Sequence, residues 1–161
     1  MTPESRLAAL FRLDEEGWAR HSNPWSGWTR LATLPLLPLV GWSRVWIGHW
    51  WLLLLVLLVL WLWANPRLFP PPARRDAWMT RGVLGERLWA ARDRVPVPAH
   101  HRLAPHLLSA AALAGFALMI YGIAALAPWP MLAGMLATLI GKLWFIGRMV
   151  RLHDDMTKDP A

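Results

Sequence analysis

The chain has 161 residues, of which 56% are hydrophobic and 17% are charged, and its formal net charge is +7. This length fits one domain, residues 1–161, rather than two. The absence of cysteine excludes disulfides, thiolate metal sites and a cysteine nucleophile. All but two of the 17 basic residues are arginine, and most of them flank apolar segments. We therefore expect a membrane protein with lipid partners and no nucleic-acid partner.

The first 23 residues contain acidic side chains and no apolar run of the kind that forms a signal peptide. Thr2 and Pro3 favour the start of a helix, because a hydroxyl caps the first amides and proline fits the first turn. Leu7, Leu10 and Phe11 then follow at helical spacing. This pattern predicts a short amphipathic helix on the membrane surface.

A first membrane span is predicted over residues 24–40. It begins at Asn23-Pro24, where an asparagine that can cap a helix precedes a proline. Pro35 and Pro38 each remove a backbone hydrogen bond, so the span is expected to be irregular. Gly41 is expected to terminate it.

A second span is predicted over residues 44–64, with Ser43 as its cap. Val45–Ala64 is 20 residues without an ionised side chain, which at about 1.5 Å per residue matches the thickness of a bilayer core. Tryptophans lie near both ends of this run, where indole rings favour the membrane interface: Trp46, Trp50, Trp51, Trp61 and Trp63.

Residues 65–104 form a polar segment. Its first part, 65–72, is rich in proline and is expected not to be helical. One short helix is predicted over residues 83–93, although Gly82 and Gly85 disfavour helix. The segment carries most of the arginines, whereas Arg44 is the only basic residue expected at the opposite membrane face. This asymmetry predicts that the polar segment is cytoplasmic.

Spans three and four are predicted over residues 105–127 and 131–150. Each places small residues on one helical face, which allows close helix packing in lipid and predicts that the two spans pair. The small residues are Ala111, Gly115, Gly122 and Ala125 in span three, and Gly134, Ala137, Thr138 and Gly141 in span four.

The predicted fold class is all-α. We expect an integral membrane four-helix bundle made of two hairpins, with an N-terminal amphipathic helix and a cytoplasmic polar segment that contains one short helix. The charge asymmetry predicts a multi-pass protein of the cytoplasmic (inner) membrane with both termini in the cytoplasm.

The polar side chains near one membrane face form a candidate cluster. A set of imidazoles, carboxylates and arginines supplies the groups for a metal site, for general acid–base catalysis or for anion binding, but also for a solvated interfacial rim. His100 and His101 are adjacent, so their rings are expected to diverge on regular structure. The candidates are Arg20, His21, Arg30, Glu86, Arg87, His100, His101, Lys142, Arg148 and Asp154.

Lys142 lies near the middle of predicted span four. A charged side chain is costly there, so it is expected to have a partner, to face water or to extend towards the headgroups. Glu86 is expected to pair with Arg20 or Arg30, and Arg151 with Asp155 at i,i+4 spacing.

Four strings carry a resemblance to an uncharacterised family of small prokaryotic integral membrane proteins. They are RHSNPWSGWTR at residues 20–30, NPRLF at 65–69, GER at 85–87, and KLWF with RMV between 142 and 150. The resemblance covers residues from about 14 to 156. It implies a membrane protein and brings no activity, cofactor or substrate.

The sequence leaves three functions open. The first is a small bacterial membrane protein that binds anionic lipid headgroups, a protein partner or a second copy of itself through an Arg/Trp-rich cytoplasmic face. The second is a membrane enzyme or metal-dependent site that uses five residues: His21, Glu86, His100, His101 and Asp154. The third is a transporter or proton-coupled subunit that uses Lys142. The identity of any metal or cofactor stays open.

Overall fold

The computed structural model describes residues 15–157, and every regular element within that range is helical. The predicted amphipathic helix around Leu7 and Phe11 lies outside the described residues. Short 3-10 turns occupy Gly48–Trp50 and Ala99–His101. The α-helices are α1 (Glu15–His21), α2 (Pro24–Leu31), α3 (Leu36–Ile47), α4 (Trp51–Leu68), α5 (Trp78–Ala90), α6 (Ala104–Ala124) and α7 (Pro128–Thr157).

Three helical stretches in the described range are long and apolar enough to cross a membrane. Pro24–Leu68 contains both predicted spans 24–40 and 44–64, with a mean hydropathy of 2.2. Ala99–Ala124 and Pro128–Thr157 have values of 2.0 and 1.4 and contain most of the other two predicted spans. The protein is therefore a membrane protein by the length and composition of its helices.

The predicted boundary between the first two spans is wrong. Gly41 lies inside α3, where a Cβ atom would come within 2.5 Å of Ile123 Cγ2, so this glycine serves close packing against α6. Ser43 also lies inside α3 and donates a hydrogen bond to Val40 O at 2.7 Å. The break comes instead at Gly48, whose φ of 55° lies in the left-handed region that favours glycine.

The proline-rich stretch after Ala64 begins with one more helical turn than expected. Helix α4 continues to Leu68 with Pro66 inside it, so the non-helical prediction is wrong for residues 65–68. Asn65 is fully buried and bonds to Ser26 and Thr29 of α2. These tertiary bonds hold the last turn of α4 and outweigh its proline.

Helix α5 begins earlier than the predicted 83–93, because its two glycines are packing sites. A Cβ atom at Gly85 would lie 1.9 Å from Met149 O of α7, and one at Gly82 would lie 2.5 Å from Ile146 Cγ2. The backbones of α5 and α7 approach closely only because neither position has a side chain. This contact outweighs the low helix propensity of glycine.

Helices α6 and α7 pair, as the sequence predicts, and most of the predicted small residues lie in their contact, although Ala111 and Ala125 are exposed. A Cβ atom at Gly122 would lie 2.3 Å from Met131 N, and one at Gly134 would lie 2.3 Å from Met119 N. Thr138 donates a 2.7 Å hydrogen bond to Gly134 O within the same seam. Close backbone approach supplies the packing that the hydrophobic effect cannot supply in lipid.

The two ends of α7 have different surroundings. Its first half packs on α6 and exposes apolar side chains such as Ile140, whereas its second half packs on α5. The main buried cluster lies at this second half and consists of Met79, Trp89, Val97, Phe145, Ile146, Met149 and Leu152. Lys142 of the candidate site lies beside this cluster, with Nζ 5.2 Å from the centre of the Phe145 ring.

Candidate functional site

The predicted site residues separate into two groups along α7. The Lys142 cluster consists of His21, Arg30, Glu86 and Lys142. The His101 cluster consists of His100, His101, Arg148 and Asp155. At a rise of about 1.5 Å per residue, Lys142 and Asp155 lie roughly 20 Å apart along α7. The two groups are therefore separate sites.

Four helices contribute to the Lys142 cluster. Lys142 Nζ of α7 lies 3.9 Å from Glu86 Oε1 of α5 and 5.2 Å from the centre of the Phe145 ring. Arg30 of α2 binds His21 of α1, with Nη1 at His21 Nδ1 and Nη2 at 3.4 Å from the carbonyl oxygen. Lys142 thus has a charged partner, as a lysine in a membrane helix requires.

The environment of His21 keeps its imidazole neutral. Burial is the largest cause, and the positive charges of Arg30 and Lys142 add to it, so the pKa of His21 falls from 6.5 to about 3. A neutral ring leaves Nδ1 with a lone pair that accepts a hydrogen bond from Arg30. His21 therefore acts as a hydrogen-bond acceptor for a guanidinium rather than as a cation.

The predicted pairing of Glu86 with Arg20 or Arg30 is replaced in the structure by other ion pairs. Glu86 pairs with Lys142, whereas Arg20 pairs with Glu16 at 2.7 Å and donates to Arg67 O at 3.3 Å. Arg20 therefore holds α1 against the end of α4 rather than entering the Lys142 cluster. Arg87, the other candidate residue of α5, is half-buried in the last turn of that helix.

The His101 cluster joins the turn before α6 to the end of α7. His101 is 1% exposed, and its Nε2 lies 2.8 Å from Asp155 Oδ2. His100 Nε2 lies 3.4 Å from the same oxygen. Arg148 Nη2 donates to His100 O at 3.1 Å and lies 3.4 Å from His101 Nδ1. The carboxylate of Asp155 thus faces two imidazoles, and the predicted pairing of Asp155 with Arg151 is wrong.

The expectation that the rings of His100 and His101 diverge is also wrong. Their centroids lie 4.2 Å apart with a tilt of 44°. The two residues lie in the 3-10 turn Ala99–His101 rather than in an α-helix or a strand. Such a turn allows adjacent side chains to reach the same carboxylate.

Asp154 belongs to neither cluster. Its Oδ2 accepts a 2.7 Å hydrogen bond from Arg81 of α5, and its Oδ1 lies 3.4 Å from His153 Nδ1. The five-residue metal or catalytic site that combines His21 and Glu86 with the later residues does not assemble. Its members divide between the Lys142 cluster, the His101 cluster and this Arg81–Asp154 pair.

The residue strings at 20–30 and 65–69 contact each other. Asn23 caps α2 through its side-chain oxygen and donates from Nδ2 to Pro70 O at 2.9 Å. Ser26 donates to Asn65 Oδ1, and Asn65 donates to Thr29 Oγ1, both at 2.8 Å. These polar residues hold the start of α2 against the end of α4.

A cavity that the sequence does not predict lies between the end of α5 and the start of α6. The Trp89 cavity has a volume of about 220 Å³ and is lined by Trp89, Arg92, Pro96, Val97, Arg102 and His106. Its sequence signals are the i,i+3 spacing of Trp89 and Arg92 and the i,i+4 spacing of Arg102 and His106. These two spacings alone do not predict a site, because the four residues come together only when the loop between α5 and α6 folds back.

Tryptophan and backbone groups position the basic side chains of the Trp89 cavity. The guanidinium of Arg92 lies 4.5 Å from the centre of the Trp89 ring and donates to Trp89 O at 2.9 Å. Arg102 Nε donates to Val97 O at 3.3 Å. This bond does not use Nη1 and Nη2, the two terminal nitrogens of the guanidinium. The ring of His106 packs edge-on against Trp89 at 5.2 Å. The cavity is thus basic with one aromatic wall.

Comparison with protein families places the whole chain in one of them. Residues 2–161 match the model of the family described as "Family of unknown function (DUF6653)". The chain belongs to DUF6653. No curated protein and no solved structure matches it. The description of DUF6653 carries no activity, and the features of this member that could support one are the two clusters and the Trp89 cavity.

Proposed function

We propose that this protein is a multi-pass membrane protein that binds the phosphate of an anionic lipid headgroup in the Trp89 cavity. The observation that carries the proposal is the presence of Arg92, Arg102 and His106 around a single cavity at the start of a membrane helix. The volume of about 220 Å³ is smaller than the ~300 Å³ typical of small-molecule sites. It suits one compact headgroup.

The two arginines supply the chemistry that a phosphate needs. A guanidinium presents its N–H groups in a planar fork, which matches two phosphate oxygens at once. Arg102 is held through Nε by Val97 O, which orients that fork before the ligand arrives. Stacking of Arg92 on Trp89 fixes the second guanidinium. Preorganised donors lower the entropy cost of binding.

The start of α6 adds a favourable field. Leu103 gives this helix no side-chain cap, and His106 lies in its first turn. The positive end of a helix dipole attracts anions over about one turn. The field of α6 therefore acts in the same direction as the charges of Arg92 and Arg102.

The apolar residues beside the cavity favour a lipid over free phosphate. Leu103 follows Arg102 in the chain and is 68% exposed, and Leu107 follows His106 and is 59% exposed. Both lie in the first third of the apolar stretch Ala99–Ala124, which is long enough to cross a membrane. A lipid whose phosphate occupies the cavity has its acyl chains alongside these leucines, whereas free phosphate gains nothing from them.

The proposed topology has four passes, with the arginine-rich residues 65–104 and both termini on the cytoplasmic side. Contacts at opposite ends of the helices support it. Ser26 at the start of α2 bonds Asn65 near the end of α4, while Arg44 near the end of α3 donates to Ile123 O and Ala124 O at the end of α6. Alternating helix directions satisfy both sets of contacts.

Titration of the purified protein with lipids, followed by native mass spectrometry, tests the proposed function. We expect phosphatidic acid to bind more tightly than phosphatidylcholine, because its headgroup has a net negative charge and fits the cavity. Inorganic phosphate at millimolar concentration distinguishes the two sources of the anion. If it removes the bound lipid completely and binds as tightly itself, the ligand is a free phosphate rather than a lipid.

A further inference from the structure

We propose that His100, His101 and Asp155 form a binding site for a divalent transition-metal ion such as Zn²⁺. The site is separate from the Trp89 cavity and does not depend on lipid binding. One ligand atom from each of the three residues lies within 4.8 Å of the other two. Among residues 15–157 no other group of three or more histidines and carboxylates has this arrangement.

The distances fit a small tetrahedral ion. Zinc binds histidine nitrogen and carboxylate oxygen at about 2.0–2.2 Å, so neighbouring ligand atoms in a tetrahedral site lie about 3.4 Å apart. His100 Nε2 and Asp155 Oδ2 already have a separation of 3.4 Å. His101 Nε2 is at 2.8 Å from the same oxygen and has to move outward by a few tenths of an ångström.

The types of residue and their exposure also fit. Two imidazoles and one carboxylate are the protein ligands of many zinc sites that keep a fourth position for water. His101 is buried and fixed, whereas the side chains of His100 and Asp155 are 66% and 42% exposed. One rigid ligand and two adjustable ones give an ion access from solvent and leave room for water.

Arg148 sets the affinity of this site. Its Nη2 lies 3.4 Å from His101 Nδ1, so in the metal-free protein Nδ1 accepts a hydrogen bond and Nε2 donates to Asp155. A metal on Nε2 needs the other tautomer, with the proton on Nδ1, and an acceptor for that proton. Arg148 provides no acceptor and adds a positive charge.

Arg148 has another anchor, so it can leave His101 when the ion binds. It donates to His100 O at 3.1 Å, and its Nε is buried without a hydrogen-bond partner among residues 15–157. Replacement of Arg148 by glutamine removes the charge and supplies a carbonyl oxygen that accepts from Nδ1. The R148Q variant should therefore bind metal more tightly than the wild type, an effect that a purely structural His–Asp contact does not predict.

The experiment uses untagged full-length protein in lipid nanodiscs, titrated with Co²⁺ and then with competing Zn²⁺. We expect one ion per chain and the visible absorption bands of a tetrahedral cobalt site. H100Q and D155N should each weaken binding roughly tenfold or more, and R148Q should tighten it roughly tenfold. H49Q, which removes an exposed histidine elsewhere, should match the wild type.

Two results would overturn the proposal. One is a wild-type protein that binds no Co²⁺ or Zn²⁺ at micromolar concentration. The other is binding that H100Q and D155N leave unchanged, which places the ion elsewhere. Because His100 and Asp155 are exposed, these variants should fold, and circular dichroism of each one checks that they do.

Discussion

Ser26 donates a 2.8 Å hydrogen bond from Oγ to Asn65 Oδ1, and both side chains are fully buried. The bond joins the start of α2 to the last turn of α4 across 39 residues of chain. Asn65 in turn donates to Thr29 Oγ1 at 2.8 Å. In apolar surroundings, the amide of Asn65 depends on Ser26 and Thr29 for these hydrogen bonds.

Replacement of Ser26 by alanine tests this contact. The S26A variant leaves Asn65 Oδ1 buried without its donor, which should destabilise the protein by about 1–3 kcal/mol. Thermal unfolding in detergent micelles measures the change. S109A, which removes a hydroxyl from an exposed position of α6, is the matched control and should unfold at the wild-type temperature. Equal melting temperatures for S26A and S109A would contradict the account.

We predict that alanine at position 85 destabilises the protein, because the backbone of α7 lies directly against Gly85. In G85A, the new Cβ atom would lie 1.9 Å from Met149 O, so α5 has to move away from α7. We expect a loss of about 3 kcal/mol or more, measured as a lower melting temperature.

G147A is the control for this substitution. A Cβ atom at Gly147 has one neighbour, Trp78 Cζ2, at an ordinary 3.9 Å. Alanine also has the higher helix propensity, so G147A should leave stability unchanged or raise it by up to about 1 kcal/mol. A G85A protein as stable as G147A would show that α5 and α7 do not pack as described.

The glycines of α5, α6 and α7 show how far the sequence predicts the fold. Helix propensity and hydropathy located the apolar stretches, and small residues such as Gly115 and Gly134 predicted which helices pair. Helix propensity predicts that the short helix starts after Gly82, whereas α5 starts at Trp78. The prediction is wrong because propensity takes no account of the packing of Gly82 against α7. The same holds for Asn65, whose buried partners in α2 keep α4 helical through Pro66.

Acid should destabilise the protein through His21. In the unfolded chain this imidazole gains a proton near pH 6.5, whereas burial and the charges of Arg30 and Lys142 lower its pKa to about 3 in the folded chain. Between these two pH values the unfolded state binds more protons than the folded state. The contribution of His21 to the free energy of unfolding is therefore fully present above pH 6.5 and is lost as the pH falls towards 3. The melting temperature should decrease from about pH 7 to pH 5.

Comparison of two histidine variants isolates this effect. H21Q keeps an acceptor for Arg30 but has no titratable ring, so its melting temperature should depend less on pH over the same range. H49Q removes an exposed histidine and should keep the wild-type dependence. If H21Q and the wild type lose stability in parallel, His21 is not the group responsible.

The candidate site was less predictable than the fold. Residue types alone do not predict which side chains come together, because their grouping follows from the packing of α5 and the turn before α6 against α7. His100 and His101 reach one carboxylate only because of a 3-10 turn. The Trp89 cavity depends on the loop that brings Arg102 back to Val97. Neither arrangement has a local pattern that predicts it.

The proposed function requires that the Trp89 cavity, rather than positive charge in general, binds anionic lipid. Two double variants distinguish binding in the cavity from a general effect of positive charge, because one removes two arginines that line the cavity and the other removes two arginines outside it. R92Q/R102Q changes two residues that line it, whereas R74Q/R75Q removes the same charge from exposed positions in the same polar segment.

The decisive measurement is the affinity of phosphatidic acid for these two variants and the wild type, by native mass spectrometry. We predict that R92Q/R102Q binds the lipid roughly tenfold more weakly or worse, since charge-assisted hydrogen bonds are lost, while R74Q/R75Q binds it like the wild type. Equal losses in both variants, or no loss in R92Q/R102Q, would contradict the claim.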